Sequence, residues 1–407
     1  VPRTVHLMAL GIFAMVTSEF LVGGLMPQIA ADLGVSIPRV GYLITAFGLA
    51  MAVGGPIAAT ALMRLAPKTA LLILFAVFIA GNALAAAAPD YTVMLLARVV
   101  TGAASGAFFG VAITAVIRLV SEDMRGRATG VAMQGLMIGT LLGLPLSTLL
   151  GGLWGWRAAF AAVGALAAVA ALAVLASMPH LAPAEDSGGL RDEAAVFRRP
   201  GLLLALLGST FIIGATFSAF SYFTPILTEV TGFSAGTVPV LLLVYGAASV
   251  VGNAVVARFA QSHTRTAIAV GLVLNALFLA GFALFAGLKA PAVAAMVGIG
   301  LVGVTLNPAM AMRVHREGNA RALVNTVHTS FITMGVVLGS WVGGMGIDAY
   351  GLLAAPWIGV ALAAAGLLTL VPEALRARGG GSGARTARGG GAPEAAGPAE
   401  PVGAPGT

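Results

Sequence analysis

Two ionisable residues, Glu19 and Arg98, each interrupt a stretch of chain that is otherwise apolar and long enough to cross a bilayer as helix. Glu19 stands in the run 4–31, about 18 Å along a helix from Leu7, near the middle of a membrane. A Glu side chain is too short to reach the interface from that depth, and intramembrane acids mark proton and ion pathways. The chemistry to look for is therefore the loading and release of a proton. The alternative is a permanently protonated carboxyl that hydrogen-bonds a neighbouring helix. Arg98 stands in the run 91–117, six residues after Thr92 and so about 9 Å from the end of its span. Arg98, Gly102, Ser105 and Phe109 share one helical face by their spacing. Small residues beside a guanidinium let a helix or a ligand approach it, which suits proton coupling or upkeep of a polar cavity. The alternative is an arginine that snorkels to the interface.

The elements that position these two residues follow from the gaps between charges. Ten runs without Asp, Glu, Lys or Arg are membrane-length: 40–63, 69–89, 128–156, 158–184, 200–228, 230–257, 266–288, 290–312, 322–347 and 349–372. With 4–31 and 91–117 they make twelve expected spans. The first reads as a span rather than a cleavable leader, because its apolar character continues past Glu19 to Ala31. With an N-terminus in the cytoplasm, only Arg39, Arg157 and Lys289 fall in outer segments, so the positive-inside rule predicts both termini in the cytoplasm. The net charge of +7 is then topological. It is dispersed over short loops and gives no nucleic-acid surface. Cysteine is absent, and the five His residues show no ligand spacing. No catalytic triad, paired acids or phosphate loop is present, so the chain reads as a non-enzyme that needs no metal or cofactor.

The chain divides at a polar, mixed-charge segment over 179–200, and its halves are related. A shift of 198 pairs Pro27 with Pro225, Gly34 with Gly232, Ser36 with Ser234 and Gly48 with Gly246 without a gap; a shift of 196 pairs Gly139 with Gly335, Gly143 with Gly339 and Gly155 with Gly351. A six-span repeat that starts and ends on one side must be parallel, with its axis along the membrane normal. The predicted organisation is an N-terminal bundle over 1–178, a central loop over 179–200, a C-terminal bundle over 201–372 and a tail over 373–407. The tail is rich in Gly, Ala and Pro, without the apolar residues that would let it fold.

Arg98 and Gly102, spaced R-x-x-x-G in the fourth span, resemble motif B of the major facilitator superfamily. Gly139, Gly143, Pro145, Gly151 and Gly152, followed by Gly155-Trp156-Arg157, resemble motif C of its twelve-helix drug exporters, with Leu144 between Gly143 and Pro145. Gly55, Arg64 and Lys68 resemble motif A, without that motif's acid. The first-span string Thr17-Ser18-Glu19-Phe20 and Gly24-Leu25-Met26-Pro27 is similar to that of the drug:proton antiporter group containing bacterial chloramphenicol and sugar efflux proteins.

The resemblance implies an all-α integral membrane protein of twelve transmembrane helices in two pseudo-symmetric six-helix bundles. It also implies a proton-coupled exporter of small amphiphilic drug-like molecules, chloramphenicol-type antibiotics foremost, in a bacterial inner membrane. Efflux of sugars, nucleosides or amino-acid metabolites on the same fold is the second expectation. The partners implied are a small-molecule substrate, protons and membrane lipid, with the chain a monomer. Spans one, four, seven and ten would line a central cavity, with Glu19 and Arg98 as the proton-coupling pair. Candidate lining residues are Met26, Ser105, Phe109, Phe211, Ser218, Tyr222, Asn307 and Met310, joined by Gln134, Asn325 and His328 from neighbouring spans.

Overall fold

In a computed structural model of the chain, the residues described are 2–62, 64–179, 181, 195–318, 322–373 and 375. The expected central loop and tail lie largely outside them. Two units are present, and the first, Val1–Thr369, carries twelve long apolar helices. These are α1 (Arg3–Leu33), α2 (Ile37–Leu62), α3 (Pro67–Ala86), α4 (Tyr91–Arg118), α5 (Glu122–Trp154), α6 (Trp156–Ser177), α7 (Pro200–Val230), α8 (Val238–Phe259), α9 (Thr264–Leu284), α10 (Lys289–Glu317), α11 (Val324–Tyr350) and α12 (Ala354–Leu368). Among the described residues there is no strand, as expected where a bilayer offers the backbone no hydrogen-bond partner. Of the second unit, Leu370–Thr407, only 370–373 and 375 are described.

Successive helices alternate in direction, so the molecule has an Arg3 end and a Gly34 end. Arg39, Arg157 and Lys289 open α2, α6 and α10 at the Gly34 end. The helices outrun the charge-free runs at several termini. α7 continues through Glu229, α11 includes Asp348, and α10 extends to Glu317. Arg313, placed by charge spacing in a loop, is instead buried inside α10, where it donates to Thr369 Oγ1 at 3.1 Å and to the Thr369 carbonyl at 2.7 Å. A helix with satisfied polar side chains at its end does not stop at the first charge.

The duplication is visible in backbone geometry. Among the described residues the glycines with positive φ are Gly34 (62°), Gly232 (73°), Gly155 (82°) and Gly351 (84°), which are two of the repeat pairs. Each follows a first or fifth helix of its half, at a turn that disfavours a Cβ. The repeat extends to packing. In α5, Gly139 and Gly143 bring the backbone onto α1, where an added Cβ would stand 2.8 Å from Val16 Cβ and 3.3 Å from Thr17 Cα. In α11, Gly335 and Gly339 do the same against α7, at 2.7 Å from the Thr210 carbonyl and 2.9 Å from the Ser218 amide. Small residues drive such contacts because lipid gives helices no hydrophobic reason to associate.

The two halves meet through α1 with α7, α2 with α11 and α5 with α8. Towards the Gly34 end the seam is tight. Tyr222 Oη donates to the Ser340 carbonyl at 2.8 Å, its ring seated against Gly41 of α2 and Gly344 of α11, while Tyr42 Oη donates to Asp348 at 3.2 Å. Two helices of the C-terminal half are interrupted: α7 turns at Ser221–Tyr222, at this seam, and α10 breaks at Gly303, beside Thr216 of α7, before resuming at Asn307.

Candidate functional site

Arg98 is fully buried, at 0% exposure. Its Nη1 donates to the Ser18 carbonyl at 2.9 Å and to Ser18 Oγ at 3.4 Å, and Nη2 donates to the Glu19 carbonyl at 3.4 Å. The guanidinium lies over the Phe47 ring, 4.1 Å from its centroid, while Nε has no hydrogen-bond partner among the described residues. A buried arginine is costly unless its donors are used, and here α1 supplies carbonyl oxygens while α2 supplies a π face. Gly102, one turn along α4, makes this possible. It faces the Phe47 backbone so closely that an added Cβ would meet the Phe47 carbonyl oxygen, with Phe47 Cα only 3.1 Å away. Arg98 therefore neither snorkels nor stands at a different depth from Glu19.

The carboxylate of Glu19 is not what Arg98 holds. No ion pair joins them, and the Glu19 side chain accepts no hydrogen bond among the described residues. It lines a narrow pocket between the halves, with a cavity volume of about 10 Å³, together with Phe20, Gly23, Ile44, Leu144, Phe217, Phe220 and Ser221. These residues come from α1, α2, α5 and α7. The aromatic wall is continuous: Phe20 meets Phe220 edge-on at 5.7 Å, and Phe220 meets Phe217 at 5.2 Å and stacks on Tyr245 at 5.0 Å. Glu19 and Phe217 are repeat equivalents under the shift of 198, so one address in the duplicated fold holds an acid and the other a ring.

A buried polar layer lies behind the acid. Ser18 donates to Asn82 Oδ1 at 3.3 Å, and Asn82 Nδ2 donates to the Phe78 carbonyl at 2.9 Å. The other half repeats the theme without an arginine: Asn275 Nδ2 donates to Thr216 Oγ1, the Ser18 equivalent, at 3.2 Å, and Asn275 Oδ1 has no partner among the described residues. Asn82, Phe47, Phe217 and Phe220 were not among the expected site residues. Asn82 carried a usable signal, an amide isolated in an apolar span. The rings carried none, because Phe is equally at home facing lipid.

The remaining expected residues scatter. Gln134, Asn307 and Asn325 are exposed, with Asn325 Oδ1 2.7 Å from His315 Nε2. Phe109 is half-buried, and Phe211 lies against Gly366 of α12. Met26 and Met310 are buried in packing. Ser105 Oγ donates to the Thr101 carbonyl at 2.8 Å and lies 3.5 Å from Met15 Sδ. Ser218 is turned towards Gly359 of α12, and Ser209 Oγ stands 3.0 Å from His328 Nε2. Tyr222 belongs to the seam rather than to the Glu19 pocket. Of the motif glycines, Gly55 packs on Gly106 of α4, Gly151 faces Leu25 and Gln28 of α1, and Gly152 faces open space. Pro145 is buried inside α5. Arg64 is exposed just past α2, and Lys68 Nζ donates to the Met178 carbonyl at 2.8 Å.

Comparison with known proteins matches this geometry to one superfamily. Residues 8–329 match the family model of the Major Facilitator Superfamily. A chloramphenicol resistance protein of Streptomyces lividans is 33% identical over 380 residues, covering 91% of this chain and 96% of that protein. The inner membrane transport protein YdhP of Escherichia coli (strain K12) is 31% identical over 369 residues, covering 90% and 95%. The uncharacterized MFS-type transporter YtbD of Bacillus subtilis (strain 168) is 30% identical over 357 residues, covering 86% and 90%. Among solved structures, a bacterial homolog to the human lysosomal transporter Spinster, inward-facing and unoccupied, superposes with a TM-score of 0.69 at 18% identity, over 90% of this chain and 91% of that one. The twelve helices, the paired halves and these relatives together establish that the chain is a multi-pass membrane transporter belonging to the Major Facilitator Superfamily.

Proposed function

We propose that this transporter is a proton-coupled exporter of small amphiphilic drug-like molecules, chloramphenicol-type antibiotics foremost, in a bacterial inner membrane with both termini cytoplasmic. The observation that carries the reading is the unpartnered Glu19 carboxylate in an aromatic pocket between the two halves. Such a carboxylate exchanges a proton for a hydrogen-bond donor on a substrate, and the rings of Phe20, Phe217 and Phe220 accept the apolar remainder. Arg98 acts through position. Held by the Ser18 and Glu19 carbonyls, it keeps a fixed positive charge beside the acid without neutralising it by contact. With the Arg3 end cytoplasmic, the Tyr222 seam closes the outer side, and rocking of the halves opens it. The resistance protein of Streptomyces lividans supports the drug class. Export of sugars or other polar metabolites is disfavoured by a lining in which only Glu19 and Ser221 offer polar side chains.

The test is chloramphenicol-stimulated proton release from proteoliposomes carrying an imposed pH gradient. The wild type is expected to respond, and Glu19→Gln is expected to bind the drug without moving protons. Wild-type transport by Glu19→Gln would remove the coupling site, whereas silence from both proteins would redirect the substrate search to metabolites.

A further inference from the structure

A long apolar groove lies on the C-terminal half, away from the Glu19 pocket. Its sides are Gly252, Val255, Val256 and Phe259 of α8, and Thr266, Ala267, Val270, Gly271 and Leu274 of α9, with His263 at one end. Its floor is Leu301, Val302 and Leu306 of α10, and its volume is about 620 Å³. The groove exists because α8 and α9 scarcely touch, although both pack on α10. Val255, Phe259 and Val270 form its lips, each about half exposed.

Three features identify what fits. From His263 to Leu274 the groove runs eleven residues along α9, about 16 Å. That is close to half the roughly 30 Å hydrocarbon thickness of a bilayer, the depth of one leaflet. The walls are apolar apart from Thr266, and both Thr266 and His263 lie towards the Arg3 end, where a head group would sit. Basic side chains frame that end. Arg258 is exposed three residues after Val255, on the same face of α8, and Arg316 of α10 reaches over to donate to the Gln261 carbonyl in the α8–α9 turn.

We propose that this groove is a binding site for one anionic phospholipid. An acyl chain would lie between α8 and α9, and the phosphate would stand at Arg258, His263 and Arg316. The chain would rest on Leu301, Val302 and Leu306, which flank the α10 break at Gly303, so the lipid would support a helix where its own ladder is interrupted. The site is independent of the substrate and of proton coupling.

The full-length protein in mild detergent is titrated with phosphatidylglycerol or phosphatidylethanolamine of identical acyl chains, and retained lipid is counted by native mass spectrometry. The wild type is expected to hold one phosphatidylglycerol in preference to phosphatidylethanolamine, by about fivefold for each basic side chain engaged. Val270→Trp, which fills the groove from an exposed lip, is expected to lose that lipid. Arg258→Gln is expected to retain a lipid but lose part of the preference. Val77→Trp, an exposed position on α3, is the control and should behave as wild type. Equal retention of the two lipids by the wild type, full retention of phosphatidylglycerol by Val270→Trp, or equal loss in Val77→Trp would each overturn the proposal.

Discussion

Gly102 offers a direct measurement of how tightly the Arg98 site is built. Gly102→Ala adds one methyl group where the neighbouring atoms are the carbonyl oxygen, carbonyl carbon and Cα of Phe47. All three are backbone, so no rotamer change relieves the contact, and α2 must move away from α4. Overpacking of this kind costs about 1–3 kcal/mol. Movement of α2 also withdraws the Phe47 ring from the guanidinium, now 4.1 Å from its centroid, a contact worth about 2 kcal/mol when desolvated. Gly110→Ala supplies the reference. It lies in the same helix, with nothing within 4 Å of an added Cβ. Both variants gain the same helix propensity, about 1 kcal/mol for Gly to Ala, so the difference between them isolates the steric term. The assay is reversible unfolding in mixed micelles, followed by Trp fluorescence. Gly110→Ala should match or exceed the wild type, and Gly102→Ala should fall below Gly110→Ala by about 1–3 kcal/mol. Equal midpoints for the two variants would mean that α2 and α4 are not locked at Phe47.

Three further outcomes test other parts of the structure. Tyr42→Phe removes the bond that ties α2 to Asp348 of α11 across the seam, worth about 0.5–1 kcal/mol. It should raise opening at the Gly34 end roughly twofold to fivefold, read as faster impermeant maleimide labelling of Ile44→Cys in a chain with no native cysteine; an unchanged rate would show that this bond does not hold the seam. Asp32→Asn breaks the ion pair with Arg157, whose partners are 44% and 45% exposed, and should leave the unfolding midpoint close to that of the wild type because solvent screens the pair. A clear drop in the midpoint would contradict the treatment of that pair as solvent-screened. Asn82→Leu should cost about 1–3 kcal/mol because it strands Ser18 and its own local bonds, whereas Asn275→Leu, which also removes an unpaired buried oxygen, should cost less; the reverse order would refute the comparison.

The twelve helices were legible because a bilayer enforces one rule over the whole chain: charge is excluded for about 20 residues at a time. Helix ends were not, since Arg313 and Asp348 remain helical once their polar groups find partners or water. The shared depth of Glu19 and Arg98 was hidden by the length of α1. At 31 residues it runs about 46 Å and overshoots the membrane, so counting from Leu7 does not locate its midpoint. The side chains that face the pocket were the least legible. Lipid and protein interior are both apolar, so the contrast that marks the buried face of a soluble helix is absent here. Ser218 and Tyr222 share a helix with Phe217, Phe220 and Ser221, yet it is the latter three that reach the pocket.

The helix breaks fall in the half opposite to the one that carries Glu19 and Arg98. In the N-terminal half α1 runs without interruption through Pro27, and α4 continues without a break past Arg98. In the C-terminal half α7 and α10, their counterparts, are each in segments. A bend in α1 at Ser18 would pull two carbonyl oxygens from Arg98 and leave a bare cation in the membrane, so bending there is costly. At the equivalent address the other half carries only Thr216 and Asn275, and its buried Arg313 is held by Thr369 towards the Arg3 end of α10, away from the breaks at Ser221 and Gly303. Compliance is therefore cheapest at the breaks of α7 and α10, and the stroke of the transport cycle would be taken up by the articulated half while α1, which carries Glu19, keeps its shape.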